Sequence, residues 1–71
     1  ILVYPNPSNG RFSIDGLKYT IDKLTVLNSI GQIVEVLEFP NNTINLNLDK
    51  GVYFINIISK GEVMSKKISI E

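Results

Sequence analysis

Six serines, at positions 8, 13, 29, 59, 65 and 69, are the nearest this 71-residue sequence comes to a set of nucleophiles, and the chain has no histidine to activate them. Cysteine is absent as well. Together these absences remove the usual acid–base and thiol machinery. Lys66-Lys67, lying between Ser65 and Ser69, could be imagined as half of a serine–lysine pair. A solvated strand face has the same composition, and the spacing demands nothing more. The acidic residues scatter: Glu35 and Glu38 fall on opposite faces of one extended run, and no D-x-D-x-D-G calcium loop occurs. No catalytic residue, metal ligand or cofactor site is therefore expected, and the chain is not expected to be an enzyme.

Binding chemistry is equally sparse. No G-x-G-x-x-G or G-K-[ST] run is present to cradle a phosphate. Tryptophan is absent, so a sugar-stacking platform would have to come from Tyr4, Tyr19 and Tyr53. Two of these lie in strand-like runs, where packing into the core is the commoner fate. Asn41-Asn42-Thr43 fits both an N-glycosylation acceptor and a plain turn. Seven basic residues balance seven acidic ones, so there is no broad field to attract nucleic acid. No apolar run approaches the ~20 residues that span a bilayer. Ile1-Leu2-Val3 follows no basic region and no cleavage pattern, so it does not read as a signal peptide. A chain opening on Ile1 is expected to be one domain, residues 1–71, cut from a larger secreted protein.

Whatever surface the chain presents, strands must position it. Runs of β-formers recur every 8–12 residues or so between turn signals, which predicts a small antiparallel sandwich or barrel. Seven strands are expected: Ile1–Tyr4, Arg11–Asp15, Lys23–Asn28, Gln32–Glu38, Thr43–Leu48, Val52–Ser59 and Glu62–Ile70. Period-two alternation puts Phe12 and Ile14 on one face of the second, and Ile44, Leu46 and Leu48 on one face of the fifth. Gly10, Gly16, Gly31, Gly51 and Gly61 punctuate the runs, and Asn9-Gly10 suits a turn with positive φ. Gly16–Thr20 reads as loop.

Two stretches need more than a strand to explain them. Val52–Ser59 is apolar on both faces, with Tyr53, Ile55 and Ile57 on one and Val52, Phe54 and Ile58 on the other. Such a strand is central under a covering loop, or its outer face meets another domain or a second copy. Tyr4-Pro5-Asn6-Pro7-Ser8-Asn9-Gly10 is a rigid corner: each proline fixes φ near −65° and removes an N–H donor. It stops the first strand and turns the chain before Phe12.

In order along the chain, Val3-Tyr4-Pro5-Asn6-Pro7 leads to Gly10-Arg11-Phe12. Leu24–Asn28 then precedes Gly31-Gln32-Ile33-Val34, Ile44–Leu48 precedes Gly51-Val52-Tyr53-Phe54, and Lys66-Lys67-Ile68-Ser69-Ile70 closes the sequence. This order resembles the type A C-terminal sorting domain of the type IX (Por) secretion system of Bacteroidetes, across essentially the whole chain. The resemblance implies a small immunoglobulin-like antiparallel β-sandwich of about seven strands. It implies a C-terminal secretion signal that directs an N-terminal cargo domain across the outer membrane. The implied partners are the outer-membrane type IX translocon and a sortase-like cell-surface peptidase that removes the domain. The implied route is through the periplasm to the cell surface or the medium. Family motifs fall on Pro5, Asn6 and Pro7, on Gly51 and Tyr53 of the G-x-Y motif, and on Lys66, Lys67, Ile68 and Ile70 of the terminal segment. These are the expected recognition residues. Read from the residues without the resemblance, the same strands also describe an immunoglobulin- or fibronectin-like accessory module of a secreted enzyme, including a carbohydrate-binding one.

Overall fold

A computed structural model describes residues 1–71, which form seven strands and no helix. The strands are β1 (Leu2–Tyr4), β2 (Arg11–Asp15), β3 (Lys23–Asn28), β4 (Ile33–Glu38), β5 (Thr43–Asn45), β6 (Gly51–Ser59) and β7 (Glu62–Ile70). They pair antiparallel in two sheets, β1-β2-β5 and β4-β3-β6-β7. The chain crosses between sheets after β2, after β4 and again after β5, as a two-layer sandwich requires. The expected strands all form: β2, β3 and β7 have the expected ends, β1, β4 and β6 shift by one residue at one end, and β5 ends three residues early.

Alternation in the sequence becomes the core. Phe12 and Ile14 from β2 and Ile44 from β5 are buried from one sheet, and Leu24, Val26, Ile55, Ile57, Ile68 and Ile70 from the other. Four of these, Leu24, Val26, Ile55 and Ile57, have no exposed surface at all. Burying one such side chain is worth roughly 1.5–3 kcal/mol, so this inner layer is what holds a chain without disulfides or metal together. Ile21, outside every predicted strand, is buried as well. Its placement follows from the Gly16–Thr20 loop delivering it onto the core, which periodicity does not encode.

The fifth strand is shorter than its alternation suggests. Ladder pairing ends at Asn45, opposite Arg11, because the partner chain turns away at Gly10. Leu46 still donates its N–H to the Gly10 carbonyl (2.8 Å) and remains buried, so the inward pattern outlasts the strand. In β4 the register slips between Val26 and Leu27, whose partners are Glu35 and Ile33, leaving Val34 as the extra residue of a bulge. Asn28 organises the turn before it: its Oδ1 accepts from Ile30 N and Gln32 N (3.1 and 2.9 Å). At the other end of the sheet, Lys60 and Gly61 link β6 to β7 with φ of 48° and 80°, the left-handed pair that a two-residue hairpin turn needs. The Asp22 carboxylate accepts the Lys60 N–H (3.0 Å) and holds a non-glycine residue in that conformation.

Strand β6 is central, between β3 and β7. Tyr53, Ile55 and Ile57 face the core, as the sequence suggests. No loop lies over the other face: Val52 and Phe54 are 38% and 40% exposed. Of the two explanations for its double-sided apolarity, the covering loop is ruled out.

Candidate functional site

The proline corner and the terminal strand are 60 residues apart in sequence and meet in space. Strand β7 lies at the edge of its sheet, with β6 on one side and no strand on the other. Its last residues are nevertheless paired along the free edge. Asn6, between the two prolines, donates its side-chain Nδ2–H to the Lys67 carbonyl and accepts the Ser69 N–H at Oδ1, both at 3.0 Å. One amide side chain thus reproduces the donor–acceptor pair that a neighbouring strand would supply. Two residues on, Ser8 donates its backbone N–H to the Ser69 carbonyl (3.0 Å) and accepts the Glu71 N–H (2.8 Å). Ser8 and Ile70 form a parallel bridge. The Pro5–Ser8 segment is therefore a short surrogate strand that caps the C-terminal end of β7.

The prolines explain why a side chain, rather than backbone, makes the first of these contacts. Pro5 and Pro7 have no N–H to offer, and their fixed φ carries the chain off the straight path of β1. The Tyr4–Pro5 and Asn6–Pro7 peptide bonds are both cis. The corner is closed by Ser8 Oγ, which accepts the Gly10 N–H (3.1 Å), and by Asn9 Oδ1, which accepts the Arg11 N–H (3.1 Å). Gly10 has φ of 106°, and a Cβ there would run into the Leu46 carbonyl oxygen. Only glycine fits both constraints.

The G-x-Y residues stand beside the same strand end. Gly51 pairs with Ile70 and Tyr53 with Ile68 in the β6–β7 ladder. Tyr53 is 9% exposed, and its hydroxyl donates to the Asp49 carbonyl (2.7 Å). That bond ties the start of β6 to the loop before it, the arrangement called a tyrosine corner in immunoglobulin-like sandwiches. The sequence shows a turn followed by a buried aromatic. The hydroxyl's role becomes legible only in the spacing Asp49-x-Gly51-x-Tyr53 once the sandwich is known.

All the sequence-predicted residues except Lys66 thus form or flank one end of the sandwich: Pro5, Asn6, Pro7, Gly51, Tyr53, Lys67, Ile68 and Ile70. They divide by exposure. Tyr53, Ile68 and Ile70 are core residues, whereas Pro5, Asn6, Pro7 and Lys67 are open to solvent. Lys66 is half-buried, opposite Ile55 and nearer the middle of β7. Sequence reasoning missed Ser8, which is buried and bonded to both Ser69 and Glu71.

No catalytic arrangement emerges from the serines. Ser65 Oγ bonds Asn56 Oδ1 (2.8 Å), and Ser59 Oγ donates to the Thr20 carbonyl (2.8 Å). No cluster of three or more carboxylates exists to hold a metal ion. Tyr4 and Tyr19 are both exposed, and Lys60 Nζ stands over the Tyr19 ring, 4.4 Å from its centre.

The model of the family described as the secretion system C-terminal sorting domain matches residues 2–71. No curated protein matches the chain. With the whole sandwich inside that match, and with the corner, G-x-Y and terminal segments joined at one end of it, the chain belongs to the C-terminal sorting domains of the type IX secretion system.

Proposed function

We propose that the end built from the proline corner and the last residues of β7 is the surface by which this domain is read. As a type IX sorting domain, the chain is a C-terminal secretion signal, and it acts with the secretion machinery on a cargo joined ahead of it, for export to the cell surface or the medium. The accessory-module reading is not favoured by the family match. Sorting domains are not a catalytic family. The finer steps belong to the proposal: passage of the cargo through the periplasm, recognition by the outer-membrane translocon, and removal of residues 1–71 by a sortase-like surface peptidase.

One observation carries the site. Motif residues from the two ends of the chain, which a stable sandwich could have left apart, are locked together by the Asn6 amide and the Ser8 backbone. The exposed members, Pro5, Asn6, Pro7 and Lys67, supply the contact. The buried members, Tyr53, Ile68 and Ile70, hold its shape, with Gly51 beside them. A fused reporter tests this directly. Lys67→Glu changes an exposed charge at the site and should reduce export. Lys23→Glu makes the same charge change at the opposite end of the sheet, where Lys23 faces Glu38 at 4.0 Å in an exposed pair worth little. It should leave export near wild type. Equal export of both fusions would remove the site from this end of the domain.

A further inference from the structure

The surrogate strand covers only part of the β7 edge. The Lys67 carbonyl, the Ser69 N–H and carbonyl, and the Glu71 N–H all point to that edge and are taken by Asn6 and Ser8. Backbone groups alternate along a strand, so the carbonyls of Val63 and Ser65 and the N–H groups of Ser65 and Lys67 point to the same side. β7 has no second partner strand, and none of these four groups has a hydrogen-bond partner in the protein. The cause is the proline corner. The segment from Ser8 back to Asn6 runs parallel along β7 from its end, and Pro5 then diverts the chain to β1 in the other sheet. Beyond Lys67 the edge is bare.

Beside this bare edge the two sheets gape. A cleft of about 260 Å³ opens there, with Ile1, Leu17, Tyr19 and Met64 as its apolar lining and Lys18, Lys60 and Glu62 at its polar rim. Met64 and Lys66 share the inward side of β7, whereas Val63 and Ser65 face outward. A strand laid along Val63–Lys67 would therefore place one inward side chain against Met64 and into the cleft. Backbone pairing would supply affinity and the cleft would select an apolar side chain, which is how strand addition to a sheet edge achieves specificity.

We propose that the Val63–Lys67 edge of β7 and the adjoining cleft form a strand-addition site for an extended segment of the secretion machinery. That segment carries an apolar side chain flanked by acidic or neutral residues. Charge sets the flanking preference. At the cleft Lys18 and Lys60 are offset by Glu62 and by Asp22, which holds the Lys60 N–H. The edge strand itself carries Lys66 and Lys67 against Glu62, so acidic residues opposite those lysines are favoured, and a second copy of β7 would bring two more lysines to the same edge. The site extends the recognition end already proposed, since it begins where the Asn6 clip stops at Lys67. It rests on the sorting reading, because it takes the machinery as the partner.

Ser65→Pro deletes an N–H at the centre of the bare edge, and Ser65 makes no ladder bond to β6 through that group, so edge proline is tolerable there. Ser65→Ala is the control: it keeps the N–H and loses the hydroxyl bond to Asn56. In the reporter fusion, Ser65→Pro should lower export about tenfold, the value of one well-made hydrogen bond, with Ser65→Ala within about twofold of wild type. Amide hydrogen exchange of the unaltered domain gives a reading that no variant's folding can confound. The Ser65 and Lys67 amides should exchange rapidly in the domain alone and become protected when purified translocon is added. Export of wild type and Ser65→Pro alike, or binding of translocon without protection of those amides, would overturn the proposal while leaving the sorting reading intact. Protection in the domain alone, or protection that grows with domain concentration, would assign the edge to the chain itself or to a second copy and likewise overturn it. Failure of the wild-type fusion to be exported would overturn the sorting reading, and the strand-addition site with it.

Discussion

Asn6 has the most specific role of any single residue here. Its amide donates to one backbone group of β7 and accepts from another two residues further along, which no shorter or charged side chain reproduces. Asn6→Ala leaves the Lys67 carbonyl and the Ser69 N–H without partners at an exposed edge, where water replaces part of the loss. The expected cost is about 1 kcal/mol, read as a fall in Tm of roughly 4–8 °C for a domain of this size. Asn6→Asp retains the acceptor and loses the donor, so it should fall between Asn6→Ala and wild type in a thermal melt. Gly10 is less forgiving. Gly10→Ala combines a left-handed φ with a clash against backbone that cannot move aside, and should cost more than 2 kcal/mol in chemical denaturation. Tyr53→Phe isolates the tyrosine-corner bond. It keeps the ring in the core and removes the contact to the Asp49 carbonyl, for an expected loss of about 1 kcal/mol in the same measurement.

At the scale of elements, β7 has two functions that a simple truncation cannot separate. Its outer edge meets the proline corner, and its inner face contributes Ile68 and Ile70 to the core. Deleting Lys66–Glu71 removes both and exposes β6 from Gly51 to Ile55, which are paired with residues of that segment or directly beside them. Losing two buried isoleucines costs several kcal/mol, comparable with the whole stability of a 71-residue domain, roughly 4–10 kcal/mol. The truncated domain should therefore show no cooperative melt by circular dichroism. A cooperative melt near the wild-type Tm would contradict the core assignment of β7. For this reason export tests need exposed substitutions such as Lys67→Glu rather than deletions. The elements were also where the sequence was most informative. Alternation in Arg11–Asp15 and Thr43–Leu48 marks which side chains turn inward: Phe12, Ile14, Ile44 and Leu46 are buried and Leu48 partly so, because a half-covered strand imposes period two on its residues. What it could not mark is contact made by loops. Ile21 reaches the core from a loop, and Asn6 reaches β7 from a corner, and neither follows a period. The resemblance placed Pro5-Asn6-Pro7 and Lys66–Ile70 among the functional residues, but their meeting at one edge needed the topology.

For the whole molecule, a sandwich of balanced charge that belongs to a family of sorting signals suits a domain that is read by its surface. Two of its surfaces remain apolar or unpaired. One is the outer face of β6 with Val52 and Phe54, and the other is the bare β7 edge beside the inter-sheet cleft. The edge lies next to the corner that carries the family's motif residues. The central claim is that residues 1–71 suffice as an address. The most direct measurement fuses them, through a short linker, to the C-terminus of a periplasmic fluorescent reporter in a Bacteroidetes host, with the type IX system intact or disabled. The account predicts reporter at the surface or in the medium only when the system is intact, shortened by about the 7.9 kDa of this domain. Reporter held in the periplasm in both hosts, while a known type IX cargo is exported normally by the intact one, would contradict it.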